Sequence, residues 1–230
     1  MVKRFNIEIN NNYLKLREDK TGVYQLSSNT FEKISRLKID KGYLPFLSAL
    51  NYLDPVFLKG EKVIIGIDGM SNSYKTSFIT FLKTLYSFNN IHTDNYFKIP
   101  PFNPKETGLS YGNNINYPVI INEVITPLLS SEKEVTYPIF KNHSDKPTYI
   151  KTSNYPITII EGAYSLNTPL INYYNYKILF KTESENQLNR LKNRESSEKV
   201  NTFITKWIPL ENKYLKWLEK NTDFDLIIKT

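Results

Sequence analysis

The stretch from Gly69 to Thr76 constrains the fold of this chain more than any other feature of the sequence. It reads GMSNSYKT and matches the pattern G-x-x-x-x-G-K-[ST] at every fixed position but one. A β-branched run, Val63–Ile67, precedes it, and a helix-compatible segment, 76–88, follows. In such a loop, backbone N–H groups and a helix N-terminus surround phosphates, the lysine (Lys75) reaches the β- and γ-phosphates, and the threonine hydroxyl holds Mg²⁺. The pattern predicts a phosphate-binding loop.

Tyr74 is the departure from this pattern, since it stands where the second glycine is expected. If the position requires a positive φ, a bulky side chain there costs about 1–2 kcal/mol. Asn72, in the same loop, tolerates left-handed geometry better. The alternative is a turn that only resembles a phosphate loop. The strand before the loop and the helix after it favour the functional interpretation.

The chain from residue 61 onward alternates between short strand-like runs and helix-compatible stretches. The predicted strands cover 63–67, 90–93, 157–160, 176–180 and 225–228. The predicted helices cover 76–88, 119–129, 183–194 and 203–220, and a long functional loop covers 100–117. The alternation predicts an α/β protein, a three-layer α/β/α P-loop NTPase fold with a parallel sheet, over residues 61–230. Residues 1–60 are interpreted as a small N-terminal extension of unknown role, with a helix over 44–58 that breaks near Pro55.

Three chemically active side chains follow the ends of predicted strands. Lys75 follows the first strand, Asp94 the second and Glu161 the third. Ligands of parallel sheets bind at the carboxyl ends of the strands, so these three segments are expected to converge on one site. Taken singly, Asp94 would be an ordinary loop residue that caps a turn, the more common role of such residues, and Glu161 would be a solvated carboxylate at a strand end.

The composition excludes several classes of protein. With 40% apolar and 23% charged residues, the chain of 230 residues can bury a core and is not typical of disorder. It contains no cysteine and two histidines, which argues against a disulfide framework and a zinc enzyme. The net charge is +7, yet the basic residues are scattered, so an ordinary basic surface is favoured over a nucleic-acid-binding face.

The hydropathy pattern gives no sign of membrane insertion. No apolar run approaches the length of about 18 residues that a membrane-spanning helix requires. The first 19 residues are interrupted by Asn and Glu where a signal peptide would be apolar. A cytoplasmic location is the expectation that follows.

Several weak motifs occur together in an order that resembles a known family. They are IIGIDGMSNSYKTS, TDNYF, YPIFKNH, IIEGAYSL, and RLKNRE followed by FITKWIPLENKY. In this order they resemble the uridine kinase, phosphoribulokinase and pantothenate kinase group of P-loop kinases, and most closely the bacterial uridine kinase-like proteins. The resemblance begins near Val63 and leaves residues 1–60 outside it.

The resemblance implies catalytic roles for several residues. Asp94 takes the place of the general base that accepts the proton of the substrate hydroxyl. Glu161 takes the place of a carboxylate that, with Thr76, holds Mg²⁺. Arg190 and Arg194 lie four residues apart, on one helical face, and match an arginine-bearing lid helix, although the spacing fits a solvent-exposed ion-paired face nearly as well. The residues expected to contact the nucleotide are those of the loop: Gly69, Ser71, Asn72, Ser73, Tyr74, Lys75, Thr76 and Ser77.

The same resemblance implies an acceptor pocket. Tyr137 and His143 stand where uridine kinases place residues that contact the base and sugar, although each also suits a structural role. Asn116 stands in a stretch, Asn-Tyr-Pro, where nucleoside kinases carry Asp-His-Pro, and the missing carboxylate weakens the argument for a nucleoside. Tyr96 is expected to form a wall of the pocket.

Together these features predict a kinase that uses ATP or another nucleoside triphosphate, with Mg²⁺, to phosphorylate a hydroxyl of a small metabolite, a nucleoside being one candidate. The alternative is a degenerate module that binds nucleotide without efficient turnover, which Tyr74 and Asn116 favour. A third class, a nucleic-acid-binding protein, rests on the net charge alone. The expected partners are nucleotide and acceptor, without a membrane, and a homo-oligomer is left open.

Overall fold

The computed structural model describes the strands Lys15–Glu18 (β1) and Tyr24–Ser27 (β2), and residues 45–98, 111–140, 144 and 146–230. The chain divides into two compact units, Met1–Leu47 and Ser48–Thr230. In the first unit, β1 and β2 pair as an antiparallel hairpin. The boundary near residue 60 inferred from the sequence stays a prediction. Most of the predicted loop over 100–117 lies outside the described residues.

A five-stranded sheet forms the centre of the second unit. Its strands are Val63–Gly69 (β3), Asn89–His92 (β4), Ile157–Glu161 (β7), Tyr176–Lys181 (β8) and Leu226–Lys229 (β9). They lie in the order β4-β7-β3-β8-β9, and every neighbouring pair is parallel. Every residue of β3 and β7 is buried, as expected of central strands that are covered on both faces. The predicted parallel sheet is confirmed.

The register of this sheet brings three strand ends to one level. Ile67 of β3 and His92 of β4 both pair with Glu161 of β7. The segments that leave these strands, the Gly69–Thr76 loop, the 3₁₀ turn Thr93–Tyr96 and the turn after Glu161, therefore emerge at the same edge of the sheet.

The helices connect and cover the strands. They are α1 (Leu47–Lys59), α2 (Lys75–Leu82), α3 (Tyr117–Val119), α4 (Thr126–Leu129), α5 (Thr168–Ile171), α6 (Ser184–Arg194), α7 (Ser197–Thr202) and α8 (Ile208–Asn221). Two π-helical segments, Ile120–Ile125 and Phe203–Trp207, join α3 to α4 and α7 to α8. None of the helices in the described ranges is both long enough and apolar enough to cross a membrane.

Two predicted helices differ from the observed ones. Helix α2 ends at Leu82 instead of residue 88, and turns continue the chain to β4. Helix α1 continues through Pro55, where a break was expected. A proline inside a helix removes one backbone hydrogen bond, and here the helix buries Ala49, Leu53 and Val56, whose packing offsets that loss.

A separate hairpin was not predicted from the sequence. Strands Glu134–Ile139 (β5) and Thr148–Ser153 (β6) pair antiparallel over six residues each. Strand β6 has no fully buried residue and lacks the apolar run by which the other strands were recognised. Strand β5 packs into the same apolar core as the segment 120–128 through Val135 and Tyr137.

Gly69, the last residue of β3, has no room for a side chain. Its φ is 144°, and a Cβ there would lie 2.1 Å from the backbone oxygen of Phe180 in β8. The backbone of a neighbouring strand cannot move aside cheaply. We predict that Gly69→Ala lowers the free energy of unfolding by about 3 kcal/mol, or about 6–12 °C in Tm, measured by thermal denaturation.

Gly60→Ala is the matched control for this change. Gly60 also has a positive φ, 65°, but nothing lies within 4 Å of its Cβ position. Its substitution therefore carries backbone strain without a clash, and we expect a loss of about 1 kcal/mol. Equal losses for the two variants would contradict the close approach of β8 to Gly69.

Candidate active site

The Gly69–Thr76 loop has left-handed backbone at two non-glycine positions. Asn72 has a φ of 60° and Tyr74 a φ of 67°. Tyr74 is the N-cap of α2, and its carbonyl accepts the first helical hydrogen bond, from the N–H of Phe78 at 2.9 Å. The position of the missing glycine thus has the positive φ that the motif requires, with a tyrosine in it.

Three successive carbonyl groups of the loop are held from one side. The oxygen of Ser71 accepts from Gln187 Nε2 (3.0 Å), that of Asn72 from Arg190 Nη1 (3.1 Å), and that of Ser73 from the hydroxyl of Thr230 (3.3 Å). In a planar trans peptide the following N–H points the opposite way. The N–H groups of Asn72 and Tyr74 therefore point away from the side chains that bind these carbonyls, as a phosphate-binding loop requires, whereas the N–H of Ser73 donates to the Met70 carbonyl at 3.2 Å.

Ser71 is also held by a carboxylate from α8. Its backbone N–H donates to Glu211 Oε2 at 3.1 Å, and its hydroxyl donates to Glu211 Oε1. Gln187, which is buried, lies between the two with its Nε2 3.5 Å from Glu211 Oε2. Gln187 and Glu211 were not singled out from the sequence, since each is an unremarkable polar residue of a helix more than 100 positions from the loop.

The loop carries several polar groups that a ligand could bind. Lys75 Nζ donates to the carbonyls of Gly69 (2.8 Å) and Met70 (2.9 Å). Ser73 Oγ and Asn72 Nδ2 are buried without a hydrogen-bond partner among the described residues. Buried polar atoms without partners are rare in folded proteins, and a bound polar ligand is one way to satisfy them.

A cleft of about 360 Å³ opens beside the loop and the start of α2. It is lined by Asn72, Ser73, Tyr74, Lys75, Thr76, Ser77, Arg190, Asn193 and Arg194. Thr76 and Ser77 are exposed, so their hydroxyls are accessible. Most of the residues predicted to contact the nucleotide, and both predicted lid arginines, therefore border the same space.

The two arginines differ in their surroundings. Arg190 Nη1 donates to three oxygens, those of Asn72 and of the Thr182 and Thr230 side chains, at 3.0–3.3 Å. Its guanidinium also lies over the Tyr74 ring, with Cζ 3.9 Å from the ring centroid. Arg194 is exposed, and its Nε is paired with Glu195 at 2.9 Å.

Tyr74 brings opposing contributions to stability. The left-handed backbone costs about 1–2 kcal/mol for a side chain of this kind. The contact with the Arg190 guanidinium contributes about 0.5–1 kcal/mol. A glycine at this position would lower the free energy of unfolding by about 0.4–1 kcal/mol, because it gives the unfolded chain more conformational freedom. These terms cancel to within about 1 kcal/mol, so the fold gains little or nothing from tyrosine over glycine.

Asp94 follows β4, and Glu161 is the last residue of the neighbouring strand β7. Both residues lie close to the turn at Gly162. Asp94 is exposed, and its Oδ1 would lie 3.4 Å from a Cβ built on Gly162. Gly162 has a φ of 132°, and the same Cβ would come within 2.2 Å of Thr93 Oγ1, so glycine is required for the two segments to approach. Glu161 is buried at the end of β7.

His92 is the close neighbour of Glu161. Its Nδ1 lies 2.6 Å from Glu161 Oε1, an ion-pair distance, although the ring N–H is not directed along a regular hydrogen bond. The contact with Glu161 raises the pKa of His92, while burial opposes the rise and the charge of Asp94 adds to it. The sequence placed His92 before the Asp94 motif but did not link it to Glu161, since the two residues meet only through strand pairing.

The residues predicted for the acceptor pocket are largely buried. The Tyr96 hydroxyl donates to the Pro138 carbonyl at 2.9 Å, and Tyr137 lies in the apolar core. Asn116 is the N-cap of α3 and accepts from the N–H of Val119 at 3.5 Å. His143 lies outside the described residues. Tyr96 is buried in the same apolar core, so its role as a pocket wall stays a prediction, and the cap gives Asn116 a structural function.

Asp68, directly before the loop, is a buried carboxyl group that the sequence did not single out. Its Oδ1 accepts from the N–H of Gly69 (2.7 Å), and its Oδ2 from the N–H of Leu166 (2.9 Å) and the Tyr214 hydroxyl (2.6 Å). Burial raises the pKa of Asp68, and these donors and Lys75 act in the opposite direction. The group fixes the start of the loop to α8 and to the turn after β7.

The described residues contain no cluster of three or more His, Asp or Glu side chains suited to enclose a metal ion. Mg²⁺ does not need such a cluster, because it keeps several waters and binds through one or two carboxylates together with substrate phosphates.

No protein-family model and no curated protein sequence matches this chain. Solved structures do match. That of a possible uridine kinase from Bacillus stearothermophilus covers 79% of this chain and 97% of its own, with a TM-score of 0.53 and 16% sequence identity. TT1252 from Thermus thermophilus covers 74% of this chain and 89% of its own, with a TM-score of 0.40 and 12% identity.

The first of these matches shows the fold. The chain shares the α/β fold of that possible uridine kinase, with a parallel sheet between helices, and the predicted fold class is confirmed. The predicted resemblance to that group holds at the level of the fold.

We predict that Tyr214→Phe destabilises the protein by about 1–3 kcal/mol, because a buried carboxyl loses a donor. The effect depends on pH. Since the folded-state pKa of Asp68 is raised above 3.8, stability falls as pH rises through that shifted pKa. The Tyr214 hydroxyl stabilises the ionised form of Asp68. Its removal therefore raises the pKa of Asp68 further, and the loss of stability grows with pH. Urea denaturation at about pH 5 and about pH 8 measures it.

Tyr173→Phe is the control, since Tyr173 is exposed. It is expected to be neutral at both pH values. If Tyr214→Phe loses the same stability at both pH values, the hydroxyl does not act through the charge of Asp68.

Proposed function

We propose that this protein is a phosphotransferase that uses ATP, or another nucleoside triphosphate, and Mg²⁺ to phosphorylate a hydroxyl group of a small metabolite. The observation that carries the proposal is the loop itself. Its carbonyls at Ser71, Asn72 and Ser73 are bound by residues outside the loop, so the N–H groups of Asn72 and Tyr74 point the opposite way and are available to a ligand. The likeness in fold to a possible uridine kinase supports the reaction class.

The residues of the loop fit a nucleotide. Lys75 Nζ is bonded to two carbonyls of the loop, and an ammonium group readily exchanges such neutral partners for phosphate oxygens. The unpartnered Ser73 Oγ and Asn72 Nδ2 add polar groups on the same stretch. Arg190 and Arg194 border the cleft and would bring positive charge to phosphates bound there.

Thr76 and Glu161 are the residues that would hold Mg²⁺. Thr76 presents an accessible hydroxyl at the start of α2, and Glu161 a buried carboxylate at the end of β7. When bound, the ion would supply charge neutralisation for the phosphates. His92 lies in close contact with the Glu161 carboxylate.

Asp94 is the residue proposed to act on the acceptor. It is exposed, follows β4 at the same edge of the sheet as the loop, and lies beside Gly162. A carboxylate there accepts the proton of the attacking hydroxyl, while the loop and the arginines orient the phosphates and balance their charge. In this mechanism positioning and charge supply most of the rate enhancement.

A nucleoside is one candidate acceptor, because a structure of the same fold is named a possible uridine kinase. Asn116 gives this candidate less support, since its side-chain oxygen caps α3 and it carries no charge. The proposal therefore names a hydroxyl-bearing small metabolite as the substrate class.

A second candidate function is nucleotide binding without efficient turnover. Tyr74 in the place of a glycine and the close pairing of Glu161 with His92 favour it. Titration with ATP and Mg²⁺, followed by assays on a panel of hydroxyl compounds, separates the two. Binding without any turnover would favour this second function.

We predict that Lys75→Ala weakens ATP binding about 10- to 100-fold, as expected for the loss of hydrogen bonds to a charged group, and abolishes turnover. The fold should persist, since Lys75 bonds only carbonyls of its own loop. Isothermal titration and circular dichroism measure the two effects. Lys216→Ala, an exposed substitution on α8, is the matched control. Undiminished phosphoryl transfer by Lys75→Ala would refute the assignment.

We predict that Asp94→Asn lowers kcat by about 10²- to 10⁴-fold and leaves the affinity for ATP within about twofold, because it removes a proton acceptor and not a phosphate contact. Steady-state kinetics with an accepted substrate give kcat, and titration gives the affinity. An unchanged kcat would remove Asp94 from the mechanism.

A further inference from the structure

Tyr74 is an exposed aromatic residue in a strained position that contributes little to the core. Its φ is 67°, and 41% of its surface is exposed. Backbone strain held at a binding loop is often part of its function. The stability terms at Tyr74 nearly cancel, so the stability of the fold gives no clear reason for a ring there.

A glycine at position 74 could not make the contact that the Tyr74 ring makes with Arg190. The guanidinium lies over the ring, with Cζ 3.9 Å from the centroid. Its hydrogen bonds are all made by Nη1, to Asn72, Thr182 and Thr230. Nε and Nη2 have no hydrogen-bond partner in the part of the chain that the structure describes.

Arg190 is therefore held in two ways at once. Nη1 fixes one corner of the guanidinium to the loop and to the residues directly after β8 and β9. Hydrogen bonds at one corner still leave the planar group free to rotate about it. The ring face of Tyr74 restricts that rotation, because a guanidinium stacks flat on an aromatic ring. The remaining donors stay at the cleft, which both residues line.

We infer that Tyr74 is a positioning residue that stacks on Arg190 and holds its guanidinium ready for the phosphates of a nucleotide bound in the cleft. The inference rests on the proposed function and adds to it. The tyrosine that breaks the motif is, on this view, a part of the binding site and not a sign of its decay.

The test compares Tyr74→Gly and Tyr74→Phe in the full chain. Titration with ATP and Mg²⁺ gives the affinity, and thermal denaturation gives the stability. Tyr74→Gly restores the motif and is expected to change Tm by only a few degrees, about 4 °C at most, yet to bind ATP about 5- to 10-fold more weakly. Tyr74→Phe keeps the ring and is expected to recover most of that loss. Tyr149→Ala removes an exposed tyrosine of β6, away from the loop, and is the control for nonspecific effects.

The position of Arg190 is measured separately, by the exchange of its Nε–H with water in NMR spectra of the free protein. Slower exchange is expected in the wild type and Tyr74→Phe than in Tyr74→Gly. This measurement needs no nucleotide and does not depend on the substrate.

The outcomes separate the inference from the proposed function. If the wild type binds ATP and Tyr74→Gly binds it as tightly or more tightly, the inference is wrong and the proposed function stands. Equal exchange rates in all three proteins would also overturn it. If the wild type and Lys75→Ala bind ATP equally poorly, the proposed function fails, and the role of Tyr74 in nucleotide binding falls with it.

Discussion

The structure depends on the way the backbone of the Gly69–Thr76 loop is held by residues outside the loop. Backbone carbonyls that point into a loop repel phosphates, and carbonyls that are bound elsewhere leave the opposite side to N–H groups. Gln187, Arg190 and Thr230 bind three successive carbonyls of the loop, and Glu211 holds the hydroxyl and amide of Ser71. Helices α6 and α8, together with Thr230 directly after β9, therefore act as a scaffold for the five residues of irregular chain between β3 and α2.

The parallel sheet places this loop beside the two carboxylates. Because Ile67 and His92 both pair with Glu161, the strands that precede Asp94 and Lys75 end at one level. A one-residue change in register would move a whole strand end by about 3.3 Å and turn its side chains to the other face. Complete burial of β3 and β7 makes such a slip costly, so the geometry of the site is set by the packing of the core.

The loop requires a buried carboxyl group and a strained backbone, both of which lower the stability of the fold. Asp68 is removed from water and accepts three hydrogen bonds, one of them from Tyr214 of α8. Tyr74 adopts a backbone conformation that favours glycine, and its ring lies against Arg190. Backbone strain and a buried carboxyl group are thus concentrated within a few residues of one loop, as is common where a protein binds a ligand.

The sequence by itself determined the parallel α/β class, and it put Lys75, Asp94 and Glu161 after strands, because short β-branched runs and the residues directly after them are local features. It also raised the question of a positive φ at residue 74. Only the tertiary structure decided that this φ is positive, and that Gln187, Glu211, Thr230 and Tyr214 hold the loop. Those partners lie 116 to 157 positions from the atoms they bind. No local pattern encodes such contacts, since they arise from the order of strands in the sheet and the packing of helices against it.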